Sequence, residues 1–72
     1  MLNTKHKFYL IHPNWSGYVI ANFLNSRVLH EDSKQTGSFL MNNQNEIFIS
    51  WDQFDAERFL QKSDGNFYYK NI

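Results

Sequence analysis

The segment EIFISWDQFDAERF, residues 46–59, places one Trp, three Phe, two Ile and four carboxylates in fourteen positions. In its first half, Ile47, Ile49 and Trp51 fall on one face of an extended chain, and Phe48 falls on the other. Aromatic and β-branched residues in this alternation are typical of a half-buried strand. The segment therefore predicts a strand that buries Trp51 in the core.

The continuation of this segment, residues 52–62, allows two interpretations. Asp52 can cap a short amphipathic helix, because an acidic residue follows it at the third position. Alternatively, residues 52–55 form a loop and residues 56–62 form a strand. We favour the strand, because a meander joins each strand to its neighbour through short links of this kind.

The rest of the chain consists of short apolar or alternating runs between turn residues. The predicted strands cover residues 7–11, 17–23, 27–31, 38–42, 46–51, 56–62 and 67–71. Residues 31–37 are predicted as a polar loop, and Gly17, Gly37 and Gly65 as isolated turn residues. This spacing predicts an all-β fold, a small antiparallel meander of about six short strands. So small a sheet buries its apolar face only by curling into a barrel-like shape.

The length and composition predict one small β domain over residues 1–72. Aromatic residues make up 18% of the chain, and each can remove about 150–250 Å² from water. A few large side chains can therefore fill the core of a short chain. There is no cysteine, so the sequence has neither a disulfide framework nor a thiolate metal site.

Charge and hydropathy disfavour two classes of partner. Seven basic residues balance seven acidic ones, and their interspersed order disfavours a nucleic-acid interface. The N-terminal apolar run, Phe8–Ile11, is much shorter than the roughly 20 residues of a membrane span and lacks the features of a signal peptide. We expect a cytoplasmic protein whose partners are neither nucleic acids nor membranes.

The sequence predicts no metal site, no cofactor and no enzymatic activity. The three histidines, His6, His12 and His30, have spacings that match no zinc motif. None of the Ser residues lies in a nucleophile elbow. The isolated glycines form no phosphate-binding loop.

The carboxylates of residues 52–57 have a structural explanation as well as a catalytic one. A glycosidase pair at Asp52 and Glu57 would need a deep cleft, which a domain of this size rarely has. Turn formation and salt bridges to Arg27 or Arg58 explain the same residues. If Arg27 is partly buried, we expect its partner to be Glu57, a pair that would fix strand register.

An aromatic and Asn-rich surface is the candidate binding site. Trp15 lies in a Pro-Asn-Trp-Ser-Gly segment, which we interpret as a turn outside the phase of any strand. An exposed indole can stack on the C–H face of a sugar ring, while Asn and Asp side chains bond its hydroxyl groups. The predicted ligand-binding residues are Asn14, Trp15, Tyr18, Asp52 and Tyr69.

Five residues carry a resemblance to a known group of proteins. Trp51, Asp52, Phe54, Glu57 and Phe59 form the pattern W-D-x-F-x-x-E-x-F. This pattern resembles the signature of a small β module found beside, or fused to, bacterial glycosyltransferases and other polysaccharide-biosynthesis proteins. The resemblance implies an accessory role near glycans, and it brings no catalytic residues.

The sequence thus predicts a non-enzymatic carbohydrate-binding or glycosyltransferase-accessory module, whose partner is a glycan or a glycan-processing protein. The alternative is a protein–protein interaction module that forms a homodimer through exposed aromatic residues. Both kinds of surface are rich in Tyr, Trp and Phe, so composition does not separate them.

Overall fold

A computed structural model describes residues 4–70 of the chain, which form seven strands and no helix. The strands are β1 (Lys5–His12), β2 (Trp15–Asn22), β3 (Arg27–His30), β4 (Thr36–Met41), β5 (Glu46–Trp51), β6 (Glu57–Gln61) and β7 (Phe67–Lys70). The predicted all-β fold is confirmed, and the ambiguous segment after Trp51 contains a strand. The last predicted strand extended to Asn71, which lies outside the described residues.

The sheet is a meander that closes into a barrel. Each strand pairs antiparallel with the next one along the chain. Because the number of strands is odd, β1 and β7 run in the same direction, and the barrel closes through a parallel pair. This seam consists of Leu10 opposite Phe67 and Ile11 opposite Tyr68. Closure leaves no free sheet edge in the described part of the chain.

Strands β2 and β4 each begin two residues earlier than predicted. The turn after β1 needs only Pro13 and Asn14, because His12 pairs directly with Trp15. Strand β2 therefore begins at Trp15, inside the segment predicted as a turn. Strand β4 begins at Thr36, inside the segment predicted as a loop, because it pairs there with Leu29 of β3.

The core follows the period of two that strands impose. In β5, Ile47 and Ile49 are fully buried and Trp51 is 9% exposed, whereas Phe48 is 38% exposed. This confirms the predicted faces of the strand. The buried hydrophobic side chains are Leu10, Val19, Ala21, Val28, Phe39, Ile47, Ile49, Trp51, Phe59 and Phe67.

The two ends of the barrel differ in what fills them. At one end of the barrel, strands β1, β3, β5 and β7 end and strands β2, β4 and β6 begin. We call this end the mouth. At the opposite end, which we call the closed end, Phe23 follows β2 and packs against core side chains, although it is itself 44% exposed. Its ring lies 5.0 Å from that of Phe39 and 6.4 Å from that of Phe8, between centroids, with edge-to-face geometry.

Two glycines lie in strands rather than in the predicted turns, and both make room at the mouth. A Cβ on Gly37 would come within 2.7 Å of the Ser50 carbonyl oxygen of β5. A Cβ on Gly17 would come within 3.0 Å of Nε2 of His30. Position 37 therefore needs glycine because backbone atoms of β5 occupy the space of a side chain, whereas at position 17 a side chain would contact the His30 ring tightly. Gly65 does lie in a turn, with a φ of 88°.

Candidate functional site

A cleft of about 400 Å³ opens at the mouth of the barrel. It is formed by inward-facing side chains at the ends of strands and by residues of the two turns that follow β3 and β5. The residues that line it are Trp15, His30, Ser33, Gln35, Trp51, Phe54 and Glu57. The lining is mostly aromatic with a few polar groups, the usual composition of a small-molecule site.

Two indole rings form adjoining walls of the cleft. Trp15 and Trp51 have ring centroids 6.5 Å apart and planes inclined at 77°. Trp15 is half-buried rather than exposed in a turn, because it is the first residue of β2 and faces inward. Its position is fixed by a parallel stack on His12, with centroids 5.1 Å apart and planes at 6°.

The carboxylate of Glu57 lies inside the mouth. Glu57 precedes the fully buried Phe59 by two residues in β6, so strand geometry turns both inward. One carboxylate oxygen accepts a 2.8 Å hydrogen bond from Nε1 of Trp51. The other lies 2.8 Å from Nε2 of His12, and the Glu57 side chain is 19% exposed. Two ring N–H groups from other strands therefore hold this carboxylate.

The hydrogen bonds of His12 indicate its protonation. The backbone N–H of Asn14 donates to Nδ1 of His12 at 3.1 Å. A backbone N–H can only donate, so Nδ1 has no proton, and the ring proton lies on Nε2, facing Glu57. His12 is therefore a neutral donor to Glu57, and it does not cancel the charge of the carboxylate.

His30 is a second neutral ring at the mouth. It is 8% exposed, and its Nδ1 accepts the backbone N–H of Ser33 at 3.2 Å. Its proton therefore lies on Nε2, the atom that occupies the space above Gly17. The Ser33 hydroxyl oxygen lies 2.9 Å from Nδ1, so with this tautomer the hydroxyl is also a donor to it. Nε2 of His30 has no hydrogen-bond partner within residues 4–70. The ring meets Trp15 edge to face, with centroids 5.0 Å apart.

Asp52 lies outside the cleft, in an ion pair with Arg27. Nη1 of Arg27 donates to Oδ1 at 3.2 Å, and Nη2 donates to Oδ2. The hydroxyl of Thr36 also donates to Oδ2, at 2.6 Å. The Arg27 guanidinium, followed by the Thr36 hydroxyl, lowers the pKa of the Asp52 carboxyl below its ordinary value. The contact also raises the pKa of Arg27.

The predicted pairing of Arg27 with Glu57 was wrong, and strand phase explains why. The buried neighbour of Arg27 in β3 is Val28, so Arg27 itself points out of the barrel. Glu57 points into it. The alternative sequence interpretation, that a salt bridge to Arg27 accounts for Asp52, is confirmed.

The remaining predicted site residues lie apart from the cleft. Tyr18 is 47% exposed on the outer face of β2 and packs edge to face on Tyr9, with centroids 4.8 Å apart. Asn14 is exposed in the turn after β1. Tyr69 contacts the other side of His12, at 4.4 Å between centroids, and lines a shallower depression of about 280 Å³. Of the five predicted residues, only Trp15 lines the cleft.

Sequence reasoning missed the residues that give the cleft its polar character. His12 and His30 were assessed only as metal ligands. Glu57 was assessed as half of a glycosidase pair, as a turn or salt-bridge residue and as part of the resemblance pattern, but not as a ligand-binding residue. The signal that could have found them is positional. Each is inward-facing at a strand end that a barrel meander brings to the mouth: the last residues of β1 and β3 and the first of β6.

Two negative findings apply to the described residues. Residues 4–70 contain no helix long and apolar enough to cross a membrane. Within the same range, no group of three or more His, Asp or Glu side chains is arranged to hold a metal ion.

Comparison with known proteins gives no relative from which a function could be transferred. No family model matches the sequence, and neither a curated protein nor a solved structure matches the chain.

Proposed function

We propose that this protein is a non-enzymatic module that binds a saccharide in the cleft at the mouth of the barrel. The observation that carries the proposal is the pair of adjoining indole walls, Trp15 and Trp51, beside the carboxylate of Glu57. A sugar ring has apolar C–H faces and polar hydroxyl edges. A site for it therefore needs flat apolar walls and a few polar groups, and this cleft has both.

The polar residues at the rim suit hydroxyl groups. Glu57 accepts hydrogen bonds, Gln35 can both donate and accept, and Ser33 provides a hydroxyl. Phe54, 62% exposed, adds a third aromatic surface. Without a ligand, this large apolar ring is in contact with water. A ligand that covered the ring would bind more tightly because apolar surface would be buried.

The role we propose is that of an accessory to glycan processing, in the cytoplasm, without catalysis by the chain itself. The resemblance of the Trp51–Phe59 segment to modules associated with glycosyltransferases supports this role. The partner would be a glycan or a glycan-processing protein, and neither a nucleic acid nor a membrane. The balanced charge of the chain supports the exclusion of nucleic acids.

Tryptophan fluorescence tests the proposal directly, because both Trp residues of the chain line the cleft. Titration with a panel of mono- and oligosaccharides should shift the emission and give a saturable curve. Trp15→Ala should abolish binding measured by calorimetry. The matched control is Tyr18→Ala, which removes an exposed aromatic ring outside the cleft. Loss of binding in the control alone would instead assign the site to the outer face of β2.

A second candidate function is self-association, and one observation favours it. Leu40 of β4 and Phe48 of β5 lie directly opposite each other on the outer face, with exposures of 72% and 38%. Arg58 packs over Phe48, 5.7 Å from its centroid. An apolar centre with an Arg at its rim suits an interface between two copies of the chain.

Light scattering at two protein concentrations tests this second candidate. A dimer through this face should dissociate on dilution and in Leu40→Lys. The control is Ser38→Lys, which adds the same charge two residues earlier on the same face. A monomer at both concentrations would reject self-association.

A further inference from the structure

The cleft carries one net negative charge, and none of its lining groups compensates it. Among the described residues, the only ionised side chain that lines the cleft is Glu57. No Lys or Arg of residues 4–70 lines it. Both histidines at the mouth accept a backbone N–H at Nδ1, so both rings are neutral. Lys34 lies in the same turn as Ser33, but it is exposed and does not line the cleft.

The carboxylate of Glu57 is held in place but is not saturated. Each of its oxygens receives one ring N–H, from Trp51 and from His12. A carboxylate oxygen can accept more than one hydrogen bond, so each retains capacity for a further donor. The hydrogen bonds that fix Glu57 therefore pre-orient an acceptor toward a ligand.

The aromatic walls also favour a positive charge. The face of an indole ring attracts cations through its quadrupole, more strongly than other side chains do. Trp15 and Trp51 meet at 77°, so one group in the corner can contact both rings. The carboxylate of Glu57 accepts a hydrogen bond from Nε1 at the edge of the Trp51 ring, so it lies close to the corner. Aromatic faces and a carboxylate in this arrangement are features of sites that bind alkylammonium groups.

We infer that the group recognised in the corner of the cleft is an ammonium cation, held by Trp15, Trp51 and Glu57. This inference rests on the proposed function, and the ligand it names is an amino sugar with a free amine. The C–H face of the sugar ring stacks on one indole, and the ammonium group donates to Glu57. A neutral sugar would fill the same space but leave the carboxylate without a counter-charge.

The test compares two ligands that differ only at the amine. The glucosamine trisaccharide and its N-acetylated form have the same rings and hydroxyl groups, but only the first is cationic. Calorimetry should give an affinity about tenfold higher for the free amine, the effect of a charge-assisted contact with a partly buried carboxylate. This preference should decrease as salt is raised, because ions screen the attraction.

Two variants identify the residue responsible. Glu57→Gln keeps the shape of the side chain and should remove the preference for the free amine. Its NH2 group replaces one carboxylate oxygen and would face one of the two ring N–H donors, so circular dichroism must first establish that this variant folds. Gln35→Lys alters no residue that holds Glu57, and its added cation in the cleft should also weaken binding of the amine. Asp55→Asn, an exposed carboxylate outside the lining, is the matched control and should keep the preference.

The outcomes separate this inference from the proposed function. Equal affinity for both trisaccharides would overturn the ammonium inference and leave the saccharide proposal standing. Binding of choline that depends on Glu57, with no saccharide bound, would support the ammonium site and overturn the saccharide proposal. Binding of neither trisaccharide nor choline would overturn both. A preference that persists in folded Glu57→Gln and Gln35→Lys would also overturn the inference, because the charge would then act from elsewhere.

Discussion

The two ends of the barrel are both filled with aromatic rings, but the rings differ in chemistry. The exposed ring of His6 borders the closed end, against Phe8 and Phe23. The other rings there are phenyl rings, and Phe23 contacts both Phe8 and Phe39 through hydrocarbon edges and faces. Such rings leave no donor to satisfy, so they pack without polar partners. At the mouth, Phe54 is accompanied by the rings of two Trp and two His residues, each of which carries an N–H group. Two of these groups, on His12 and Trp51, have the carboxylate of Glu57 as their acceptor.

The difference shows how a chain of this size combines stability with a site. The closed end contributes burial, since Phe39 there is 7% exposed. Packing at the mouth stabilises the fold less. The carboxylate of Glu57 and the imidazoles of His12 and His30 lie where aliphatic side chains would pack more favourably. These polar groups stand at the end where the cleft opens, which is the end at which we propose that a ligand binds.

Phe39→Ala at the closed end should have the largest effect. Phe39 is 7% exposed, and removing a buried Phe costs about 3–5 kcal/mol. The whole domain has only roughly that much stability. We expect the variant to be unfolded at 25 °C by circular dichroism. A urea midpoint equal to that of the original protein would mean that the closed end is not packed.

Gly37→Ala tests the close approach of β4 and β5 at the mouth. A Cβ at this position would lie 2.7 Å from a backbone oxygen of β5, so the strands must separate. We expect a loss of about 1–3 kcal/mol in the free energy of unfolding, as for other overpacked sites. The control is Ser50→Ala, an exposed residue of β5, which should change it by less than about 0.5 kcal/mol. If Gly37→Ala and Ser50→Ala changed the free energy of unfolding equally, strands β4 and β5 would not require glycine at position 37.

Trp15→Ala should have a smaller effect on stability than Phe39→Ala. Its indole packs against the core but is only half-buried, so we expect a loss of about 1–2 kcal/mol. The variant should remain folded, with an intact far-ultraviolet spectrum. Unfolding of this variant would show that the mouth is as essential to the fold as the closed end, and the contrast between the two would fail.

The ion pair outside the mouth should contribute least, and its contribution should depend on pH. The folded-state pKa of Asp52 is lowered by Arg27, whereas the unfolded value is about 3.9. The unfolded state therefore binds more protons near this pH. The stabilisation is fully present above about pH 4 and is lost as pH falls through the folded-state value.

The measurement compares urea midpoints of the original protein and Asp52→Asn across pH. The difference should be small at pH 7, because the pair is 42% exposed on both sides and exposed pairs contribute little. It should shrink further as the solution is acidified below about pH 4. A difference that grows on acidification would contradict the sign of the shift. Glu46, whose pKa is lowered chiefly by Asn42, titrates in both proteins and cancels in the comparison.

The fold could be predicted from local sequence because its causes are local. The alternation of Ile47, Ile49 and Trp51 identifies a strand and its buried face without any knowledge of the partner strands. The boundary at Trp15 was missed for an equally local reason. Pro13 and the glycine at 17 both indicate turns, but a glycine can also lie in a strand where another atom needs its space.

The polar part of the site could not be predicted, because its cause is not local. Glu57 faces inward, and the sequence rule for a carboxylate is to face water. It is retained inside by N–H groups from His12 and Trp51, which lie in two other strands. Only the register of the closed barrel brings these atoms together. The chain has no alternation signal that reports this contact.

The parallel seam between β1 and β7 has a consequence for the order in which the chain folds. The antiparallel strand pairs join neighbours through short turns, so they lose little entropy when they form. The seam joins Leu10 to Phe67, which are separated by almost the whole chain. Contacts of such long range form slowly. We therefore expect seam formation to be the last and rate-limiting event, and amide protons of β1 and β7 at the seam to exchange with solvent before those of the central hairpins.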